Sequence, residues 1–211
     1  MSNHLEIIKE AIIGGKHKDV EVLVRSALDD GVSANAIVNE AMIPGMDVVG
    51  KKFSNNEIFV PEMLVAAVTM NKGLDILKPI LKQSGSKSKG TIVMCTVKGD
   101  LHDIGKNLVI MMLEGAGFDV IDVGVDTSVD KLIDAVKQIK PDVLGLSALL
   151  TTTLPEMAKV IQSLEANGMR GEVKVMIGGA PVDAAYSEKI GADGYGRDAA
   201  QAVEVARRLI V

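Results

Sequence analysis

Hydrophobic periodicity changes once along this chain, near residue 90, and the change restricts the fold more than any other feature. Before it the apolar spacing is helical. Leu5, Ile8, Ala11 and Ile12 recur at three- and four-residue intervals, as do Val20, Leu23, Val24 and Ala27, so each segment offers one apolar stripe. Ser33 suits the cap of a third helix, which Pro44 interrupts or kinks because it lacks an N–H and crowds the preceding turn. Pro61 fits the first turn of a fourth, running toward Leu81. Four helices joined by short turns predict an antiparallel bundle over residues 1–83. Residues 84–90 are small and polar, with Gly85 and Gly90, and read as a linker.

From residue 91 to 211 strands and helices alternate. Strands are expected near 91–97, 119–123, 142–147, 173–177 and 193–195, and helices near 105–117, 128–139, 154–167, 182–190 and 198–210. Such βα alternation implies a parallel sheet with helices on both faces. Five units fit the flavodoxin-like, Rossmann-type order 2-1-3-4-5. Its switch point lies between strands one and three, and ligands bind in the crevice outside the strands' carboxyl ends there. The loops at that crevice are residues 98–105 and 147–153.

The first of them carries Asp100-Leu101-His102-Asp103-Ile104-Gly105. A neutral imidazole can ligate a transition metal through one nitrogen while the other donates to a carboxylate, which fixes the tautomer. Gly105 would let a ligand approach the backbone closely. Each residue also has an ordinary reading: a solvated loop histidine and carboxylate, a turn glycine, and in Asp103 a favourable charge at a helix start. In the second loop the hydroxyls of Ser147, Thr151, Thr152 and Thr153 could simply cap the helix opening at Leu154-Pro155. Gly178-Gly179 is a common tight-turn pair and lacks the wider glycine pattern of a phosphate loop.

Taken together, these motifs resemble the corrinoid (cobalamin-binding) proteins of methyltransferase systems that act on methanol, methylamines or methoxyaromatics, relatives of the cobalamin-binding region of methionine synthase. Asp100-x-His102-x-x-Gly105 matches the family's first motif, Ser147-x-Leu149 with the following threonines its second, and Gly178-Gly179 its third. The stretch Phe59-Val60-Pro61-Glu62-Met63-Leu64 looks like the family's helical cap. The resemblance implies base-off cobalamin, with His102 as the lower cobalt ligand and Asp100 accepting from its far nitrogen. Ser147 and Leu149 would line the nucleotide-tail slot and Thr151 would contact the corrin. Gly178 and Gly179 would form a flat wall, with Tyr195 flanking the tail. Thr153 stands where methionine synthase has a serine that completes a hydrogen-bonded triad; the hydroxyl is kept and a methyl added. Phe59 and Met63 would belong to a lid over the upper cobalt face.

By the same resemblance the cobalt cycles between cob(I)alamin and methylcobalamin. One partner methyltransferase supplies the methyl group from its substrate, and a second passes it to tetrahydrofolate or a coenzyme thiol. A reductive activator is a further implied partner, and catalysis belongs to the assembled system. A B12-dependent mutase subunit, a B12-sensing regulator and a flavodoxin-like domain for another ligand are the alternatives; no substrate barrel or DNA-binding module accompanies the motifs.

Composition narrows the rest. Aromatic content is 2% with no Trp, so eleven Met and many aliphatic residues must fill the cores. A net charge of −5 argues against a nucleic-acid surface. No apolar run is long enough to span a bilayer, and residues 1–6 do not open a signal peptide, so a cytoplasmic location is expected. Cys95 is the sole cysteine, which excludes an intrachain disulfide.

Overall fold

The computed structural model describes residues 2–83 and 88–210, so most of the expected linker, residues 84–87, lies outside the described residues. The chain divides into two compact units, Met1–Ser88 with Glu114–Gly117, and Lys89–Leu113 with Phe118–Val211.

In the helical unit, α1 (Ser2–Ile13) and α2 (Val20–Asp29) precede a rod made of α3 (Ala34–Ala36), a π-helical segment (Ile37–Met42) and α4 (Ile43–Ser54). Ser33 caps that rod as expected, its hydroxyl accepting the Ala36 N–H at 3.2 Å. Pro44 explains the π segment. It cannot donate to the carbonyl four residues back and its ring crowds that carbonyl. The Ile43 N–H therefore reaches Val38, five residues back, and the wider turn keeps the rod continuous. Last comes α5 (Val60–Gln83). Its start is half a capping box, with the Glu62 carboxylate accepting the Phe59 N–H at 3.1 Å. Ile8, Ile12, Val24, Ile37, Met42, Met46, Met70 and Leu77 are fully buried. At about 1.5–3 kcal/mol per large apolar side chain, this core stabilises the unit without aromatic residues.

The second unit runs β1 (Thr91–Val97), α6 (Ile104–Gly115), β2 (Asp119–Thr127), α7 (Val129–Ile139), β3 (Val143–Ser147), α8 (Leu154–Ala166), β4 (Lys174–Gly178), α9 (Ala184–Ile190), β5 (Gly194–Gly196), α10 (Ala199–Leu209). All strand pairs are parallel, in the expected order β2-β1-β3-β4-β5. β1 is buried from Ile92 to Val97 and apolar there except for Thr96, as befits a central strand covered on both faces. Registers Thr96↔Ser147, Ser147↔Gly178 and Gly178↔Gly196 align the carboxyl ends of β1, β3, β4 and β5.

β2 departs from expectation. It continues past residue 123 to Thr127, with register shifts against β1 on both sides of Cys95. Gly124 and Asp126 have φ of 100° and 48°. The expected strand stops just before them, but the strand absorbs them as bulges. Cys95 lies in the core under the sheet. Burial pushes its thiol up to about 12, so it behaves as a small hydrophobe. Among the described residues no helix is long and apolar enough to cross a membrane.

Candidate functional site

The loops leaving β1 and β3 meet through Asp100. Its side chain is fully buried, and it draws donors from both loops. Oδ1 accepts the His102 N–H at 3.0 Å and lies 2.7 Å from His102 Nδ1. Oδ2 accepts the Leu149 N–H at 2.7 Å, the Leu150 N–H at 3.1 Å and the Thr153 hydroxyl at 3.1 Å. Burial alone would raise the pKa of this carboxyl. Hydrogen bonds from the Leu149 N–H, the His102 ring, the His102 N–H and the Leu150 N–H outweigh it and hold Asp100 well below the usual carboxylate range.

An ionised carboxylate can only accept, so His102 Nδ1 must be the donor. The neutral ring is then the Nδ1–H tautomer, whose Nε2 carries a free lone pair. The His102 side chain is 52% exposed although its partner has no exposure at all. A buried base-orienting carboxylate and a presented imidazole are the two parts of a metal-ligand pair. The residues beside the pair on the two loops include exposed large apolar side chains: Leu101 is 71% and Ile104 77% exposed, and Leu149 and Leu150 also stand exposed. Among the described residues no three His, Cys, Asp or Glu side chains gather to hold a metal by themselves. A single histidine in an apolar collar suits a metal that brings its other ligands with it, as a macrocycle does.

The glycines separate into two kinds. A Cβ on Gly105 would meet nothing within 4 Å, so the chain itself does not require glycine there, and the open space fits a ligand approaching α6. A Cβ on Gly179 would lie 1.8 Å from the Ala148 carbonyl oxygen, and one on Gly178 would lie 2.9 Å from that of Gly196. Those two are demanded by the close approach of neighbouring strand ends.

Of the two readings of the hydroxyl loop, helix capping does not apply to Thr153. Thr153 is the N-cap residue of α8, but its side chain does not cap the helix. The hydroxyl turns instead to Asp100 and to the Leu150 carbonyl, 2.9 Å away. Thr151 and Thr152 are exposed, and Ser147 is half-buried at the end of β3.

Residues 90–204 match the family model of the B12 binding domain, and residues 5–78 match a second model of the same description. The trimethylamine corrinoid protein of Methanosarcina barkeri is 40% identical over 208 residues, 96% of each chain. A crystal structure of a cobalamin-binding protein from Desulfitobacterium hafniense superposes with a TM-score of 0.82 at 32% identity, covering 97% of this chain and 98% of that one. In the methanol:cobalamin methyltransferase complex of Methanosarcina barkeri, one chain superposes with a TM-score of 0.84 at 32% identity, covering 96% of this chain and 78% of that one. The chain is a corrinoid protein of the B12-binding family. Its cofactor is a cobalamin.

In this corrinoid protein Phe59 and Met63 have different settings. Phe59, just before α5, is 64% exposed, whereas Met63 is 1% exposed. Met63 lies on the α5 stripe of Ala66, Ala67, Met70, Leu74 and Leu77, all buried. Met63→Ala should therefore cost about 2–5 kcal/mol of stability, and Phe59→Ala within about 0.5 kcal/mol. Denaturant unfolding of the two variants checks this, and equal losses would contradict it. Tyr195, in β5, has its ring against the sheet core.

Sequence reasoning missed two residues that shape the histidine loop. Thr96, buried in β1, donates its hydroxyl to the His102 carbonyl at 2.9 Å. Asp126, at the end of β2, accepts the Gly99 N–H at 2.7 Å. A polar residue inside an otherwise apolar strand was the available signal for Thr96. Asp126 sits in a turn-like run that gave none.

Proposed function

We propose that this corrinoid protein is a methyl carrier that holds cobalamin base-off, with His102 Nε2 as the lower cobalt ligand. The observation that carries the reading is a half-exposed histidine whose Nδ1 lies 2.7 Å from the buried Asp100 carboxylate, which leaves Nε2 as the nitrogen for a ligand. The bound cofactor would supply cobalt chemistry that accepts a methyl group from one partner and yields it to another.

The chain's own residues do the rest. Asp100 keeps the ring in the tautomer that ligates, and it stabilises the ring's positive charge when a proton replaces the metal on Nε2. Thr153 fixes Asp100 from the second loop. Leu101, Ile104, Leu149 and Leu150 offer the macrocycle an apolar seat and exclude water beneath it, and Gly105 leaves room for its edge. Ser147, Thr151, Gly178, Gly179 and Tyr195 would border the tail. Phe59, exposed at the head of α5, is suited to a lid, and Met63 to the packing that supports it.

The names of the relatives, for trimethylamine and methanol, support a small methyl donor such as a methylamine or methanol, presented by a substrate-specific methyltransferase. A second methyltransferase would take the methyl to tetrahydrofolate or a coenzyme thiol, and a reductive activator would rescue oxidised cobalt. The test is His102→Ala reconstituted with cobalamin. Nitrogen superhyperfine splitting from the axial ligand should vanish from the Co(II) EPR spectrum. Splitting retained at full intensity would mean that another group ligates cobalt.

A further inference from the structure

We infer that the bulged end of β2 brackets the histidine loop from both sides, with Asp126 as a positioning residue for His102; the inference rests on His102 being the cobalt ligand. Asp126 holds the entrance to the loop. Its carboxylate accepts the Gly99 N–H at 2.7 Å, and its own N–H donates to the Asp100 carbonyl at 2.9 Å. Gly99 and Asp100 are the residues immediately before Leu101 and His102, so two hydrogen bonds from one residue fix the direction in which the loop leaves β1.

Asp126 makes both bonds only because its backbone is left-handed, with φ of 48°. Side chains rarely adopt that conformation, and Asp and Asn tolerate it best. Two residues earlier, Gly124 at φ 100° begins the distortion. The strand thus bends at its last turn to aim a carboxylate at the mouth of the neighbouring loop, a known use of bulges beside functional sites.

The loop's exit is tied to the same segment. Lys106, in the first turn of α6, is 2% exposed and forms an ion pair with Asp122. The other oxygen of Asp122 accepts the Gly124 N–H at 2.9 Å, so the ion pair and the bulge share one carboxylate. Lys131 holds the segment from α7 by donating to the Val123 carbonyl at 2.8 Å. Residues 122–126 therefore grip residues 99–100 at one end and residue 106 at the other, with His102 suspended between. An imidazole must meet a metal with the right reach and tilt, and support beyond the direct ligand sets both.

Three variants separate this from general scaffolding. Asp126→Gly keeps the left-handed backbone and deletes the acceptor. Asp126→Asn keeps both. Lys106→Met opens the far end without burying an unpaired charge. In the cobalamin-free protein, amide exchange across residues 98–103 should speed at least tenfold in Asp126→Gly and in Lys106→Met, with β3 and β4 unchanged; Asn should restore wild-type protection. In the loaded protein, Asp126→Gly should lower the fraction of Co(II) that shows axial nitrogen splitting, and Asn should recover it. Unchanged exchange in both Asp126→Gly and Lys106→Met, or an equal rise throughout the sheet, would overturn the bracket. The exchange measurement needs no cofactor, so it decides the bracket even if His102→Ala shows that another group is the ligand.

Discussion

Asp100→Ala should lower the stability of the α/β unit by about 3–5 kcal/mol, read by urea unfolding of the cobalamin-free protein. The carboxylate is the acceptor for the N–H groups of His102, Leu149 and Leu150 and for the Thr153 hydroxyl. Alanine leaves the three N–H groups facing a hole, while the Thr153 hydroxyl keeps the Leu150 carbonyl. Each buried orphan costs about 1–3 kcal/mol, less where water enters the space, and loss of one buried charged partner costs about 3–5 kcal/mol. A loss under 1 kcal/mol would mean that the two loops are held by something else.

Asp100→Asn should be milder for stability and sharper for ligation. Three donors converge on Oδ2, so the amide oxygen must take that side. The amide NH2 then faces His102, where it opposes the backbone N–H and offers a proton to Nδ1. The ring answers by moving its own proton to Nε2. The nitrogen proposed to bind cobalt becomes the protonated one, and ligation must first displace that proton. Imidazole 15N shifts in the cofactor-free protein report the tautomer directly. Acid dependence has a defined sign as well. The folded pKa of Asp100 is lowered, so its contribution is full above the unfolded value of about 3.9 and is lost as pH falls through the lower folded value. The stability gap between wild type and Asp100→Asn should narrow below about pH 4. A gap that is constant from pH 7 to pH 3 would show that the carboxylate's charge plays no part.

The sheet was legible in the sequence because its signals are local. β1 is an apolar run broken only by Thr96, the helices carry periodic stripes, and glycine, proline and polar clusters mark most boundaries. Alternation implied a parallel sheet, and the doubly wound order that five units fit placed the two motif loops side by side. What escaped was non-local. Asp126 acts on Gly99, 27 residues away, and nothing in its own neighbourhood announces that. The strand expected near 119–123 runs on through Gly124 and Asp126 despite their positive φ, because pairing with β1 carries it through. By position Thr153 suits a helix cap, and only the resemblance pointed its hydroxyl toward a triad; the carboxylate within its reach lies 53 residues earlier. Pro44 was read as an interruption, and the wider π turn that absorbs it depends on burial of Ile37, Ala41 and Met42 in the bundle.

Gly179→Ala should cost more than 4 kcal/mol, about the upper range for a single substitution, and Gly105→Ala should cost nothing. The two glycines look equivalent as motif residues, and the structure separates them. A methyl on Gly179 would lie 1.8 Å from the Ala148 oxygen and 2.9 Å from its carbonyl carbon. Both contacts are backbone, so no side chain can swing aside. The φ of 131° is itself unfavourable for alanine. Relief requires β3 to part from β4 where Ala148 N–H donates to the Gly178 carbonyl at 3.3 Å. Moving Ala148 drags Leu149 and Leu150, the residues whose N–H groups hold Asp100, so exchange protection at His102 should fall in the same variant. Gly105 has no neighbour within 4 Å of its would-be Cβ and stands in a helix, where alanine is favoured over glycine by about 0.5–1 kcal/mol. Gly105→Ala should thus raise stability without cofactor, and under the methyl-carrier reading it should weaken cobalamin binding. Equal thermal midpoints for the two variants would refute the distinction, and a stabilised Gly105→Ala that binds cobalamin at wild-type affinity would remove Gly105 from the site.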